Sequence, residues 1–172
     1  MYFRFEPEYP EEQTSNFAVN VFGFFNGEGL SEIHELKPRF NSQDFINLIH
    51  DHLIPSVREL YPQPDDIYIF VDKRSLHKSQ NVVQYLYSLP NTYVIDVPEM
   101  GSDMNPTQNI WAMMTRHITI NKPIWTKDEF RPEVSIAWEW VVNRELYLLT
   151  LSSNMRDRLR AVIGNQGRWT KY

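Results

Sequence analysis

The sequence contains no cysteine. This absence excludes disulfide bonds and thiolate–zinc sites, and it is compatible with a reducing compartment. No apolar run approaches the about 20 residues that a membrane-spanning helix needs. The N-terminus also lacks the basic-then-apolar pattern of a signal peptide. The sequence therefore predicts neither a disulfide-stapled scaffold nor a membrane partner.

Positive charge is scarce in the first part of the chain. Residues 1–66 hold four lysines and arginines against twelve aspartates and glutamates, a balance of −8, and the whole chain carries −5. A domain that grips DNA through many phosphates is usually basic. Residues 141–172 reverse the balance, with six basic against two acidic side chains, or +4. The acidic part is expected to repel nucleic acid, whereas the basic end is suited to contact DNA or an acidic protein surface.

Apolar and aromatic residues, in contrast, are abundant: 42% of the residues are hydrophobic and 14% are aromatic. At 172 residues, such a chain is expected to bury a proper core as one domain over residues 1–172. A basic helical segment over about residues 143–172 is predicted to close this domain.

The spacing of apolar residues predicts a mixed α/β chain. Short apolar and β-branched runs predict five strands, over residues 1–5, 17–25, 30–36, 67–72 and 92–97. Apolar residues at helical spacing predict the helices, over residues 41–60, 78–88, 105–118, 126–142, 144–151 and 153–163. The first three strands are expected to form an antiparallel meander, and Pro55 is expected to kink the first helix.

Three of these helices begin with residues that cap helix N-termini. Asn41 or Ser42 is expected to cap the first helix, and Asn105 the helix that follows the fifth strand. Thr126 with Glu129 forms a capping-box pattern ahead of the next helix.

Four collinear stretches of the chain resemble the mariner-type transposases of the DDE superfamily. Asp72, His77 and Ser79 match a family motif that begins at the end of a strand. Lys73 and Ser75 depart from it, because the family has asparagine and proline there. This stretch alone is a weak signal, and its weight comes from the other three.

The other three stretches lie before and after this motif, and all four occur in the same order as in the family. The segment Asp96–Trp111 is similar to the most recognisable block of these transposases, and Asn41–Pro55 resembles their first long helix. Asn154–Ile163 and Gly167–Tyr172 resemble their usual end. The resemblance therefore covers nearly the whole chain.

The resemblance implies a ribonuclease-H-like (integrase/transposase) fold, with a mixed five-stranded sheet flanked by helices. In the family, three acids hold two divalent metal ions that activate the attacking oxygen and stabilise the leaving one. Those positions correspond here to Phe5, Asp72 and Gln108, so only the second retains a carboxylate. Alternatively, the strand with the first acid precedes Met1. We therefore predict an inactive site that holds no metal and no other cofactor.

A second departure from the family lies in the segment Glu6–Asn16. In the family, a longer insertion between the first two strands helps the enzyme to dimerise around transposon ends. Here the corresponding segment is short and acidic. The resemblance therefore implies that a clamp for DNA and partner is absent from this chain.

The leading hypothesis is a catalytically inactive, transposase-derived domain. It would serve as a protein-interaction or dimerisation module in a nuclear, chromatin- or DNA-associated factor. The alternative is a non-catalytic DNA-binding domain that uses the basic C-terminal segment. A third hypothesis, an active metal-dependent DNA nuclease or transposase, requires a substitute set of acids such as Glu6, Asp72 and Asp103.

The basic end supplies the candidate contacts to DNA or to an acidic partner, namely Arg156, Arg158, Arg160, Arg168 and Lys171. The competing interpretation is a solvated helix face. The tryptophans at positions 111, 138 and 140 are predicted to pack in the fold rather than to stack on bases. A strand-end aspartate such as Asp72 is also able to cap a turn without binding metal.

Overall fold

The chain forms two units. In the computed structural model, the described residues are 2–5, 18–26, 32–62, 66–72, 79–97, 101, 104–121, 126–168 and 170, with the backbone alone at 2–5, 71–72, 96–97, 121 and 127. The first unit combines Met1–Leu36 with Asp103–Tyr172, and the second is Lys37–Ser102. The single domain expected over residues 1–172 stays a prediction.

The described elements follow the predicted order closely. The strands are β1 (Tyr2–Phe5), β2 (Val19–Phe22), β3 (His34–Glu35), β4 (Ile67–Asp72) and β5 (Thr92–Val97). The α-helices are α1 (Ser42–Leu48), α2 (Ile54–Leu60), α3 (Gln80–Ser88), α4 (Thr107–Asn121), α5 (Lys127–Val142), α6 (Glu145–Ser153) and α7 (Met155–Gly164). None of these helices has both the length and the apolar character that a bilayer crossing requires.

In the first unit, β1, β2 and β3 form an antiparallel sheet in that order. Tyr2 pairs with Phe22 and Phe5 with Val19, while His34 pairs with Phe22 from the other side. The predicted meander is therefore confirmed.

Helices α4 to α7 complete the first unit and bury its core. α4 packs against α5, and Trp111 stacks on Trp138 with ring centroids 5.9 Å apart and planes 27° apart. Val19 and Val21 of β2 belong to the same buried cluster. Its other members are Ile110, Met114, Ile118, Phe130, Val134, Ala137, Val141, Leu148 and Leu151. The prediction that Trp111 and Trp138 pack in the core is confirmed.

Gly23, directly after β2, lies against the two stacked rings. A Cβ at this position would come within 2.8 Å of Trp138 Cη2 and 3.1 Å of Trp111 Cη2. Because both rings are rigid and buried, they have little room to yield. We therefore expect Gly23→Ala to lower the free energy of unfolding by about 1–3 kcal/mol, measured by urea denaturation.

Gly164 provides the matched control, since a Cβ there meets nothing within 4 Å. Gly164→Ala should leave stability unchanged or raise it slightly, by reducing the freedom of the unfolded chain. Equal stabilities for the wild type and Gly23→Ala would contradict the close packing described above.

In the second unit, α1 and α2 are joined by a π-helical turn over Ile49–Leu53. The Ile54 N–H donates to the Ile49 carbonyl, one residue further back than in an α-helix. Pro55 follows at once, and a proline ring clashes with the carbonyl four residues before it, here that of Asp51. The wider π-helical turn leaves room for the proline ring. The irregularity predicted as a kink at Pro55 is therefore a π-helical turn.

The start of α1 is a capping box. Asn41 Oδ1 accepts from the backbone N–H groups of Gln43 and Asp44, and Asp44 accepts from the Asn41 N–H at 3.0 Å. Lys37 Nζ lies 2.7 Å from the same carboxylate. The hydrogen bond from Lys37 and that from the Asn41 backbone hold the pKa of Asp44 below its ordinary value. The choice that the sequence left open, Asn41 or Ser42, is decided for Asn41.

The remaining strands form a second, parallel sheet. β4 pairs with β5 from Ile67 opposite Thr92 to Asp72 opposite Val97, and α3 packs against both α1 and β5. The five predicted strands are present, but among the described residues they form sheets of three and two. One continuous five-stranded sheet is therefore not confirmed, because strand periodicity identifies strands without determining which of them pair.

Candidate functional site

The three positions assigned to metal ligands fall at the ends of elements. Phe5 ends β1, Asp72 ends β4, and Gln108 lies in the first turn of α4. The Gln108 side chain is half-buried. The side chains of Phe5 and Asp72 lie outside the described atoms, so the convergence of the three side chains stays a prediction. His77 and the substitute acids Glu6 and Asp103 lie outside the described residues.

The start of α4 is held by Asn105. Its side chain is 6% exposed, and its Oδ1 accepts from the Thr107 backbone N–H at 3.1 Å and from Thr107 Oγ1 at 2.7 Å. The Gln108 N–H donates to the Asn105 carbonyl at 3.1 Å. Such bonds satisfy donors that the first turn of a helix leaves without partners. The capping role predicted for Asn105 is confirmed, and the cap fixes the backbone from which Gln108 projects.

Arg158 contacts α4 one residue beyond Gln108. Its side chain is 2% exposed, and Nη2 donates to Asn109 Oδ1 at 2.9 Å. Burial raises the pKa of the neighbouring Tyr147 hydroxyl, and the positive charge of Arg158 opposes that shift. The guanidinium therefore ties α7 to the first turn of α4.

This burial corrects one of the predicted surface contacts. Arg158 is one of the residues predicted to touch DNA or an acidic partner, but its side chain lies inside the first unit. Helical geometry contains the signal that separates it. At about 100° per residue, Arg158 lies about 200° from both Arg156 and Arg160, which therefore share the opposite face.

The other basic residues lie on the surface. Arg156, Arg160 and Arg168 are exposed, and Lys171 lies outside the described residues. Arg160 Nη1 approaches Asp157 Oδ1 at 3.6 Å, and both side chains are more than half exposed. An exposed pair of this kind contributes little to stability, so Arg160 remains free to exchange partners. Contact of these side chains with a partner stays a prediction.

Trp140 is the half-buried member of the predicted tryptophan set. The His117 ring stacks on it with centroids 4.4 Å apart, and Arg144 Cζ lies 3.9 Å from the centroid of the indole ring. The indole ring is therefore already in contact with His117 of α4 and with Arg144, which directly precedes α6. This arrangement supports the packing interpretation over a platform for stacking bases.

The second unit contains a polar contact that does not involve the predicted site. His50 Nδ1 lies 3.0 Å from the Tyr85 hydroxyl, joining the π-helical turn to α3. Burial and the negative charge of Asp51 raise the pKa of Tyr85, while Arg58 opposes the shift. No sequence motif pointed to this contact, because its partners are 35 residues apart.

Comparison with known sequences identifies relatives of this chain. The profile of a family described as DDE superfamily endonuclease matches residues 5–131. The chain is 27% identical over 156 residues to the transposable element Tc3 transposase of Caenorhabditis elegans. The alignment covers 90% of this chain and 46% of the relative, so the chain spans about half the length of the curated protein it matches.

Comparison with solved structures finds transposase structures that share the fold of this chain. The catalytic domain of Mos1 mariner transposase aligns with a TM-score of 0.78 at 11% identity, covering 99% of this chain and 82% of that one. The Mos1 mariner paired end complex with Mn aligns with the same TM-score and identity, covering 99% of this chain and 55% of that one. At such identities the likeness concerns the fold, and it confirms the predicted ribonuclease-H-like class.

Proposed function

The chain belongs to the DDE superfamily endonuclease family, and we propose that within this family it is a transposase-derived domain without cleavage chemistry. It acts by binding other macromolecules, as a protein-interaction or self-association module of a nuclear, DNA-associated factor. The observation that carries this proposal is Gln108, a neutral amide in the capped first turn of α4, where the resemblance places the third acid.

The chemistry of the donor set supports the absence of catalysis. Divalent metals such as Mg²⁺ require several hard oxygen ligands in near-octahedral geometry. The positions that correspond to the three acids offer one carboxylate from Asp72, one amide carbonyl from Gln108, and the hydrocarbon ring of Phe5. One negative charge and one neutral oxygen do not fit a site for two divalent ions, so we assign no metal-dependent step to this chain.

The relatives support a role in assembly. Among the Mos1 structures, one is a paired-end complex with a left transposon end, aligned with a TM-score of 0.73. That protein is thus seen as a complex on DNA. For this chain we retain self-association or contact with a protein partner, because its net charge of −5 disfavours a broad phosphate-binding surface.

A cleavage assay tests the loss of catalysis. The full chain is incubated with end-labelled duplex DNA and either Mg²⁺ or Mn²⁺, and the products are resolved on a denaturing gel. We expect no metal-dependent cleavage by the wild type or by Asp72→Ala, because the remaining donors do not hold the two ions that the reaction needs.

Asp66→Ala is the matched control, since Asp66 is an exposed aspartate just ahead of the same strand. Metal-dependent cleavage that persists in Asp66→Ala but disappears in Asp72→Ala would overturn the proposal. Cleavage that both variants retain would not depend on Asp72, and it would therefore not come from the site that corresponds to the family's three acids.

Non-catalytic DNA binding is the second candidate function. The exposed side chains of Arg156, Arg160 and Arg168 favour it, because they place positive charge on the surface of the basic end. Binding through phosphates would weaken steeply as salt rises. The binding experiment described below separates this candidate from a protein partner.

A further inference from the structure

One face of α7 presents two arginines and two aliphatic residues to solvent. Arg156, Leu159, Arg160 and Ile163 follow the spacing i, i+3, i+4 and i+7, which places them on one side of the helix. Leu159 is 42% exposed and Ile163 is 76% exposed. We call these four residues the α7 stripe. Arg158 lies on the opposite, buried side and anchors the helix to α4 through Asn109.

The composition of the α7 stripe is poorly suited to DNA. Phosphates contact cations and hydrogen-bond donors, so the exposed surfaces of Leu159 and Ile163 would gain little from a nucleic-acid backbone. Asp157, on the same helix, lies 3.6 Å from Arg160 and adds a negative charge beside it. Aliphatic and basic side chains that alternate along one helix face fit a partner that carries both apolar groups and carboxylates.

We propose that the α7 stripe is a docking surface for an acidic amphipathic helix of a protein partner. This proposal rests on the proposed function and names the chemistry of its partner. The partner's aliphatic side chains cover Leu159 and Ile163, which removes apolar surface from water. Its aspartates and glutamates pair with Arg156 and Arg160, whose planar guanidinium groups bind carboxylates through two parallel hydrogen bonds.

The test is a fluorescence polarisation titration with the full chain. The probe is a fluorescein-labelled synthetic helix of about four turns, with leucines along one face and glutamates on both flanks. We expect saturable binding that weakens about tenfold or more in Arg156→Glu/Arg160→Glu, because like charges then face each other. Leu159→Ser/Ile163→Ser should also weaken binding about tenfold, through the loss of buried apolar surface.

α4 offers a matched control on another exposed face. Arg116 and Ile120 are an exposed arginine and isoleucine four residues apart, so they place the same two residue types on one face of another helix. Arg116→Glu/Ile120→Ser should bind the probe as the wild type does, within about twofold, if the site is specific. Circular dichroism and thermal unfolding establish that each variant is folded.

Four outcomes would overturn the proposal. One is the absence of saturable binding, and another is an equal loss of binding in the α4 control. A third is a labelled DNA duplex that binds through Arg156 and Arg160 and is unaffected by Leu159→Ser/Ile163→Ser. The fourth is concentration-dependent dimerisation in sedimentation runs that the α7 variants abolish, which would make a second copy the occupant. None of them bears on the cleavage assay, so the loss of catalysis stands or falls separately.

Discussion

Trp111→Ala is expected to lower the free energy of unfolding by about 3–5 kcal/mol. Trp111 is 1% exposed and stacks on Trp138 at the centre of the first unit's core. Truncation removes the largest fully buried side chain of the described core and leaves a cavity that the rigid neighbours fill only in part. For a chain of this size the loss corresponds to a drop of roughly 10 °C in the unfolding midpoint.

Thermal and urea unfolding followed by circular dichroism measure this effect. Trp111→Phe is the companion variant, and it should cost clearly less because a phenyl ring fills most of the space. Trp140→Ala is the control, since Trp140 is half-buried and does not belong to the stack of Trp111 on Trp138. A loss below about 1 kcal/mol for Trp111→Ala would show that the ring does not support the core.

Arg158→Ala has the second-largest expected effect, a destabilisation of about 2–4 kcal/mol. The substitution removes a hydrogen bond between a charged donor and Asn109 Oδ1, and such bonds contribute about 1.5–3 kcal/mol. It also removes the packing of a long side chain that is 2% exposed. The gain from no longer burying a charge offsets part of this loss, which is why the expected cost remains below that of Trp111→Ala.

Two further variants show what the Arg158 side chain contributes to stability. Arg158→Met fills a similar space without a charge and should cost less than alanine, because a well-packed apolar side chain often replaces a buried ion at little cost. Arg156→Ala, two residues away on the exposed side, should change stability by less than about 0.5 kcal/mol. Equal, small effects for Arg156→Ala and Arg158→Ala would contradict the buried position of Arg158.

Trp111 and Arg158 show which buried side chains a sequence pattern predicts and which it does not. Trp111 continues an apolar helical pattern and is predicted to pack in the fold, and its burial confirms that prediction. Arg158 belongs to the basic cluster that is predicted to contact DNA or an acidic partner, but it is buried instead. Its partner, Asn109, is 49 residues earlier in the chain, so no local pattern contained it.

The two sheets also show that local sequence patterns do not determine contacts between distant residues. Each strand is predicted from its own apolar run, and the antiparallel order β1-β2-β3 is the order of these strands along the chain. β4 and β5 pair directly although α3 separates them along the chain, so each pair joins residues 25 positions apart, as Ile67 and Thr92 are. Whether three and two strands join in one sheet is a matter of long-range pairing, which residue alternation does not encode.

The sequence by itself determined the features whose causes are local. Asn105 and Thr126 cap their helices through bonds that span two or three residues, and the amide of Gln108 has the chemistry of its own side chain wherever it lies. Only the tertiary structure decided that α7 has a buried arginine on one side and an exposed stripe of Arg156, Leu159, Arg160 and Ile163 on the other. The physical reason is that burial depends on which helices pack together, and that packing sums many weak contacts between residues far apart in the chain.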